Sequence, residues 1–376
     1  MKVYVLSLRT ESPMIITLRS GYGGFIHRSL TDEIPGLMLR GALFTRAIEE
    51  GVLTKDNADN LAIKPSHSII PALFSSRGEA FPLDNLLPSH ALCSKSKWSN
   101  IVMSPGAHKL AQKDYETILR GLLRDELKIY SKKGKEGIWK PGEVKRVQGR
   151  PALKENGRWV LCGKPRTFHY IETALDPTRG AGLPEMLFSY ELVDVGSTYC
   201  SLIALEDTNP LNSLLERGRV EISVGRGISR GFGKLSVKVV KGDIPKLPKL
   251  GKYAVFEAIS PLFIMDPLPR PPEPGDVLKI DPNWYLRMTG YKISAELKVR
   301  EVLGSETLYR GWSLRRNSPR VPVRALSKGS ILICETVSGE EGDEVTSYLP
   351  VVGLNEYSSL GFNHLLPLDP DPFEVV

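Results

Sequence analysis

The chain has 376 residues with a formal net charge of +7, and 41% of them are hydrophobic and 25% charged. This is the balance of a globular protein long enough for two domains of ordinary size. No apolar run approaches the length of a membrane span, and the opening MKVYVLSLRT alternates like a strand rather than forming a signal peptide, so a cytoplasmic protein is expected. The four cysteines, Cys93, Cys162, Cys200 and Cys334, form no Cys-x-x-Cys pair, which argues against a zinc site and a disulfide framework. No cofactor is expected. An excess of positive charge favours an acidic partner, most commonly nucleic acid. Only two glutamines, Gln112 and Gln148, among many Lys, Arg and Glu residues fit a thermophile.

In chain order, the first strand leads through Ser12-Pro13-Met14-Ile15-Ile16 to GYGGFIHRSLTDE, a loop with three glycines, two aromatics, a histidine and an arginine. IPGLMLRGALFTRAIEEG follows. Pro35 can occupy the first helical turn, Leu39, Ala42, Leu43 and Ala47 form an apolar stripe, and Gly51 ends the helix, whose N-terminus can bind an anion. Residues 52–112, rich in Ser, Pro and His, read as an irregular insertion. KDYETILRGLLRDELKIY then places Tyr115, Ile118, Leu119, Leu122 and Leu123 on one helical face. Residues 131–157 read as a second, basic insertion: Lys132, Lys133, Lys135, Lys140, Lys145, Arg146, Arg150 and Lys154 surround only Glu136 and Glu143, with Trp139 among them.

Further on, VGRGISRGFGKLSV contains Gly-x-Ser-x-Gly around Ser229. Val220, Ile222 and Val224 alternate before it, and Leu235, Val237 and Val239 alternate after it, so both flanks read as strands. A nucleophile elbow needs a helix leaving the turn, and so does a dinucleotide fingerprint. The stretch is therefore expected to be a hairpin loop whose small residues admit a ligand to its amides while Arg226, Arg230 and Lys234 face a phosphate chain.

The interrupted stretch KGDIPKLPKLGK marks a boundary. Beyond it Ser260-Pro261-Leu262-Phe263-Ile264 repeats the motif at Ser12, and Ser359-Leu360-Gly361-Phe362 repeats Ser229-Arg230-Gly231-Phe232, each approached through a glycine, Gly353 and Gly225. A second cation group, Arg310, Arg315, Arg316, Arg320 and Arg324, contains no acid. Strand, loop, helix and later strands, done twice, predict an α+β protein of tandem ferredoxin-like (RRM-like, βαββαβ) domains, 1–248 carrying the insertions near 52–112 and 131–157, and a shorter 252–376.

Four elements carry a resemblance to a family. Ile34-Pro35-Gly36-Leu37-Met38-Leu39-Arg40-Gly41-Ala42-Leu43 resembles the IPG element of the RAMP superfamily, RNA-recognition-like proteins of CRISPR effector complexes, and residues 225–233 resemble its glycine-rich loop. Glu172–Gly182 with Leu187-Phe188 is similar to the segment preceding a central strand in type III members, and Gly311-Trp312-Ser313 with Lys328-Gly329-Ser330-Ile331 resembles a pattern of two-unit subunits. Leu37 and Met38 replace the usual small serines, and the second loop, Gly353-Leu354-Asn355-Glu356-Tyr357, lacks a cation.

The two-unit layout looks most like the type III-D subunit that holds the 5′ tag of crRNA. That resemblance implies a non-catalytic role, with the large polymerase-like subunit and backbone RAMP subunits as partners and target RNA met indirectly. Arg226, Arg230, Lys234 and Arg40 are assigned to phosphates, Tyr22, Phe25 and His27 to bases or ribose, with Arg28 beside them. Phe232 is assigned to RNA or core, and Lys140, Lys145 and Arg146 to a thumb-like insertion. Two catalytic alternatives stand. A crRNA-processing endoribonuclease would use His27 as general base beside Arg28, without metal, and a target-cleaving backbone subunit would use Asp32.

Overall fold

Short β-strands joined by five described helices make this a mixed α+β chain, seen in a computed structural model. It describes residues 1–20, 26–96, 99–104, 106–107, 110, 144–175, 178–179, 182–247, 249, 251–310, 312–313, 318–338 and 342–374. The predicted 113–130 helix lies outside these residues. In chain order the first part comprises β1 (Lys2–Thr10), β2 (Thr17–Ser20), β3 (Ile26–Ser29), α1 (Gly36–Glu49), α2 (Lys55–Ile63), β4 (His67–Ile69), β5 (Ala72–Ser75), β6 (Thr167–Leu175) and β7 (Gly182–Val193). It continues with β8 (Thr198–Leu205), α3 (Leu211–Leu215), β9 (Arg219–Ser223) and β10 (Lys234–Gly242). The second part comprises β11 (Tyr253–Ala258), α4 (Pro282–Thr289), β12 (Glu296–Leu303), β13 (Ile331–Ser338), α5 (Gly342–Val352) and β14 (Leu365–Pro367). Shorter strands are named by residue.

The first sheet runs β9-β10-β1-β8-β5 and ends on the short strand Glu33–Ile34, with β4 also paired to β8, and every pairing within it is antiparallel. The second runs Val277–Lys279, β12, β13, β11, β14, again antiparallel. Four strands in each sheet share one order. β10, β1, β8 and β5 correspond to β14, β11, β13 and β12, with a helix after the first strand and another before the last.

Hydrogen bonding repeats as well. Gly233 N donates to Pro13 O at 2.8 Å, and Asn363 N to Pro261 O at 2.9 Å. Inside the loops, Val224 N to Gly233 O and Phe232 N to Gly227 O recur as Leu354 N to Asn363 O and Phe362 N to Tyr357 O. This register sets Gly225 opposite Asn355 rather than Gly353.

The alternation of β1 explains how the sheets stack. Tyr4, Leu6 and Leu8 face Leu39, Leu43 and Ala47 of α1 and Leu211 and Leu214 of α3, while Val3 joins Leu202 and Ala204 on the opposite face. That opposite face packs in one cluster with Phe256 and Val299 of the second sheet, Trp284, Tyr285 and Met288 of α4, and Val345 and Leu349 of α5. Each such side chain contributes about 1.5–3 kcal/mol when fully buried, so the two parts share a core rather than touching across a loose domain interface.

Polar contacts cross the same seam. His364 bridges Ser68 at 2.8 Å and Ser260 at 3.0 Å, and Lys328 pairs with buried Glu33. A Cβ on Gly36 would stand 2.6 Å from Gly361 Cα, so only glycines let α1 meet the second loop this closely.

Residues 52–112, expected to be irregular, instead contain α2 and two core strands, β4 and β5. These strands are short and buried throughout, so they carry no polar alternation from which a strand could be read. Within 131–157, the described Val144–Arg146 and Pro151–Glu155 are strands of two small sheets. The four cysteines are buried.

Glu257 on β11 is fully buried, and neither carboxylate oxygen finds a hydrogen-bond partner among the described residues. Burial, then Asp371, hold its carboxyl well above the ordinary 4.5. The folded chain keeps Glu257 protonated where the unfolded chain ionises it, so stability is lost as pH rises from about 4.5 toward the raised value. Glu257→Gln removes this loss. Melting across pH 4–9 should show the variant matching wild type at the acid end and exceeding it increasingly toward neutrality.

Candidate nucleic-acid interface

The loop Val224–Gly233 joins β9 to β10, as the flanking alternation predicted, and its middle is one 3-10 turn, Ile228–Arg230, between Gly227 at φ +77° and Gly231 at φ +86°. Ser229 is exposed on this turn, and a strand follows, not an α-helix. The glycines do something other than admit a ligand to the backbone. Gly225, at φ +87°, lies against the Ile15 carbonyl where any Cβ would collide. The amides of Val224, Arg226, Arg230, Gly231, Phe232 and Gly233 all donate to carbonyls of this chain. The expected amide cradle is therefore largely spent on shaping the turn, which leaves anion attraction to the side chains.

Those side chains converge on one residue that sequence reading missed, Tyr190 of β7. Parallel pairing of β7 with β3 sets Tyr190 beside His27, and their rings stack at 5.0 Å and 12°. The Arg226 guanidinium lies 5.9 Å from the Tyr190 ring and that of Arg230 5.8 Å, and Arg226 Nη1 is 3.5 Å from His27 Nε2. Next to them Phe232 meets Tyr170 of β6 edge-on at 5.7 Å, and Arg230 pairs with Glu172.

Arg226 has no acidic partner among the described residues, and it, Arg28 and Lys234 are exposed. His27 is buried, its Nδ1 has no partner among the described residues, and burial followed by Arg226 lowers its pKa below the ordinary imidazole value. It is a neutral ring wedged between an aromatic face and a cation, the arrangement of a positioning group. The patch thus presents unpaired positive charge beside aromatic faces, with Tyr170 41% exposed for stacking.

The other sequence-predicted residues are placed elsewhere or lie outside the described residues, as Tyr22, Phe25 and Lys140 do. Lys145 and Arg146 are exposed on the separate Val144–Arg146 strand, where Arg146 Nη1 donates to Ala91 O at 3.1 Å. Phe232 is half-buried against Ile15, Tyr190 and Leu192. Asp32 is half-buried and accepts a hydrogen bond from Thr31 Oγ1 at 3.2 Å. Arg40, assigned to phosphates, is buried on α1 over the Phe44 ring. The second glycine-rich loop packs Phe362 against Phe263 and Tyr309 and docks on α1, which accounts for its lack of a cation. The signal for Tyr190 lay in the pattern of β7, but nothing local could pair that strand with β3. Among the described residues no group of three His, Cys, Asp or Glu side chains is arranged to hold a metal ion, and no helix is long and apolar enough to cross a membrane.

Glu172 would compete with a bound phosphate for Arg230. Glu172→Gln should tighten binding of single-stranded RNA about three- to tenfold, because the phosphate then no longer displaces a carboxylate. Fluorescence anisotropy with a labelled oligonucleotide would read this, and weaker binding would count against the competition.

No family model matches the chain, and no curated protein matches it. Among solved structures, a chain of the type III-B Cmr-beta complex bound to cognate target RNA and AMPPnP aligns over 88% of this chain and 86% of its own at 13% identity, with a TM-score of 0.43. A CRISPR associated protein Cas6 aligns over 97% and 98% at 12% identity and a TM-score of 0.38. A chain of the Csm3-Csm4 subcomplex of the type III-A CRISPR-Cas interference complex aligns over 90% and 94% at 12% identity and a TM-score of 0.37. Likenesses this distant carry no functional argument.

Proposed function

We propose that this protein is an RNA-binding structural subunit of a type III CRISPR effector complex, of the two-unit, III-D-like kind. In this reading two ferredoxin-like RAMP units, 1–248 and 252–376, hold the 5′ tag of crRNA without cutting it. The partners are the crRNA, the large polymerase-like subunit and the backbone RAMP subunits, and target RNA is met indirectly.

The observation that carries the RNA reading is the exposed, acid-free Arg226 beside the Tyr190–His27 stack, on the loop that resembles the RAMP glycine-rich element. Guanidinium groups supply phosphate affinity, while adjacent aromatic faces suit unpaired bases. The repeated strand order and loop hydrogen bonds support two units of one kind. Arg28 and Lys234 extend the charged face, Tyr22 and Phe25 are proposed to contact bases, and Lys140, Lys145 and Arg146 are proposed to grip RNA from the insertion.

The processing alternative assigns His27 the proton from a ribose 2′-OH. Its lowered pKa suits a base, but its partner-free nitrogen is buried and the other faces Arg226, which favours positioning. Purified protein incubated with repeat RNA in EDTA decides between them. Binding without cleavage is expected for wild type and His27→Ala alike. Site-specific cleavage lost in His27→Ala would establish the nuclease instead, and absence of RNA binding with or without its partner subunits would remove the whole reading.

A further inference from the structure

The internal repeat reaches further than the strand order. Between β5 and β8 the chain contains the antiparallel pair β6–β7, and between their counterparts β12 and β13 it contains another, in which Glu306–Tyr309 pairs with Val323–Leu326 and Trp312–Ser313 with Ser318–Pro319. Each pair presents a tyrosine to the phenylalanine of its own glycine-rich loop. Tyr170 meets Phe232 edge-on at 5.7 Å, and Tyr309 meets Phe362 edge-on at 5.7 Å. The two are one element in two copies, and they differ in where the charge lies. The register that sets Gly225 opposite Asn355 also sets Arg226 opposite Glu356 and Arg230 opposite Leu360. Glu356 is exposed, while Leu360 joins Tyr309, Val323 and Tyr357 around Phe263, Ala325 and Phe362. The second loop therefore repels an anion, and the aromatic face turned toward it is already covered.

In this second copy the cations lie on the strand pair instead. Alternation sends Tyr309, Val323 and Ala325 to the loop, so Leu308 and its cross-strand neighbour Arg324 face the other way, and both are exposed. Arg310 and Arg320 lie where the two ladders meet, exposed and without an acidic partner among the described residues, and Val321 beside them is exposed as well. Arg324 pairs with Glu306 at 2.8 Å, an exposed ion pair that a phosphate can displace. Every cation from Arg300 to Arg324 is an arginine, whose planar fork takes two phosphate oxygens at once.

We propose that the outer face of this second strand pair, with Arg310, Arg320 and Arg324 beside Leu308 and Val321, is a second surface for single-stranded RNA. The guanidinium groups hold the phosphates, and the aliphatic side chains lie against sugars and bases. This rests on the reading of the chain as RNA-binding, but not on the Val224–Gly233 loop. The first copy sets loop cations over an aromatic of its strand pair, whereas the second sets its cations on the side turned away from its loop. A strand long enough to reach both surfaces is held at two points, which raises its affinity above that of either alone.

The test uses the full chain and fluorescence anisotropy with labelled single-stranded RNA over a range of salt. Arg310→Ala/Arg320→Ala is made alone and in the Arg226→Ala/Arg230→Ala background. In that background the remaining affinity should fall about tenfold or more, and the salt slope should become shallower by about 0.7 per contact, near 1.4 for the pair. Melting should hardly move, because both side chains are exposed. Arg310→Lys/Arg320→Lys should keep the slope and lose part of the affinity, since the charge stays and the bidentate fork goes. Glu306→Gln should tighten binding by freeing Arg324. Loss in Arg310→Ala/Arg320→Ala while the loop variant binds like wild type keeps this surface and removes the loop reading. A loss confined to the loop variant, with affinity and slope unchanged by Arg310→Ala/Arg320→Ala in both backgrounds, keeps the loop and overturns this surface. The proposal is equally overturned if those substitutions spare RNA binding and instead abolish co-purification of a partner subunit, because the face then takes an acidic protein surface.

Discussion

Alanine at both Arg226 and Arg230 is expected to weaken binding of single-stranded RNA by about 10²- to 10⁴-fold at low salt. Each lost charge-assisted contact is worth about 1.5–3 kcal/mol, and the two side chains converge on one aromatic face, so their loss removes the centre of the patch. The loss should be general across sequences, because phosphate contacts position the strand without reading it. Counterion release gives the sharper check. The slope of log K against log salt should become shallower by about 0.7 per contact, near 1.4 for the pair. Arg226 should account for more of the effect than Arg230, which must first leave Glu172. The side chains of both residues face solvent, so melting should hardly move. An unchanged slope would place the RNA site elsewhere.

The second large effect concerns stability and comes from Asp371. This buried carboxylate accepts from His90 Nε2 at 3.1 Å, Ala107 N at 2.6 Å, Phe373 N at 2.9 Å and Ser104 Oγ at 2.5 Å. Phe373 in turn packs 5.3 Å from His90 and 4.9 Å from Trp159. One side chain therefore ties the final segment to His90, Ser104 and Ala107. These donors, with His90 the first of the favourable charges, outweigh burial and hold the Asp371 carboxyl well below the ordinary carboxylate range. Asp371→Asn keeps the size but removes the charge and one good acceptor, and breaking a buried pair in this way costs about 3–5 kcal/mol. Urea unfolding should show it as a lower midpoint, while RNA binding by the folded variant stays intact because the cluster is remote in sequence and sheet from Tyr190. A cost below about 1 kcal/mol would mean that the tail is held by its apolar contacts alone.

The chain's own order of residues determined the elements whose signal is local. The α1 stripe of Leu39, Ala42, Leu43 and Ala47, the strands on either side of the glycine loop, and the two short repeats could be read because apolar periodicity and turn chemistry act within a few residues. Cations in the loop were legible for the same reason. The short buried strands at 67–75 were not, since a strand covered on both faces loses the alternation that marks it. Tertiary structure alone decided that Tyr190 would lie under His27, Arg226 and Arg230, because pairing of β7 with β3 joins residues more than a hundred positions apart. It also decided that the loop's amides would close on Ile15 and Pro13 rather than on a ligand, and that Arg40 would be buried on α1. Local sequence sets which groups a segment carries, and long-range packing sets what each of them faces.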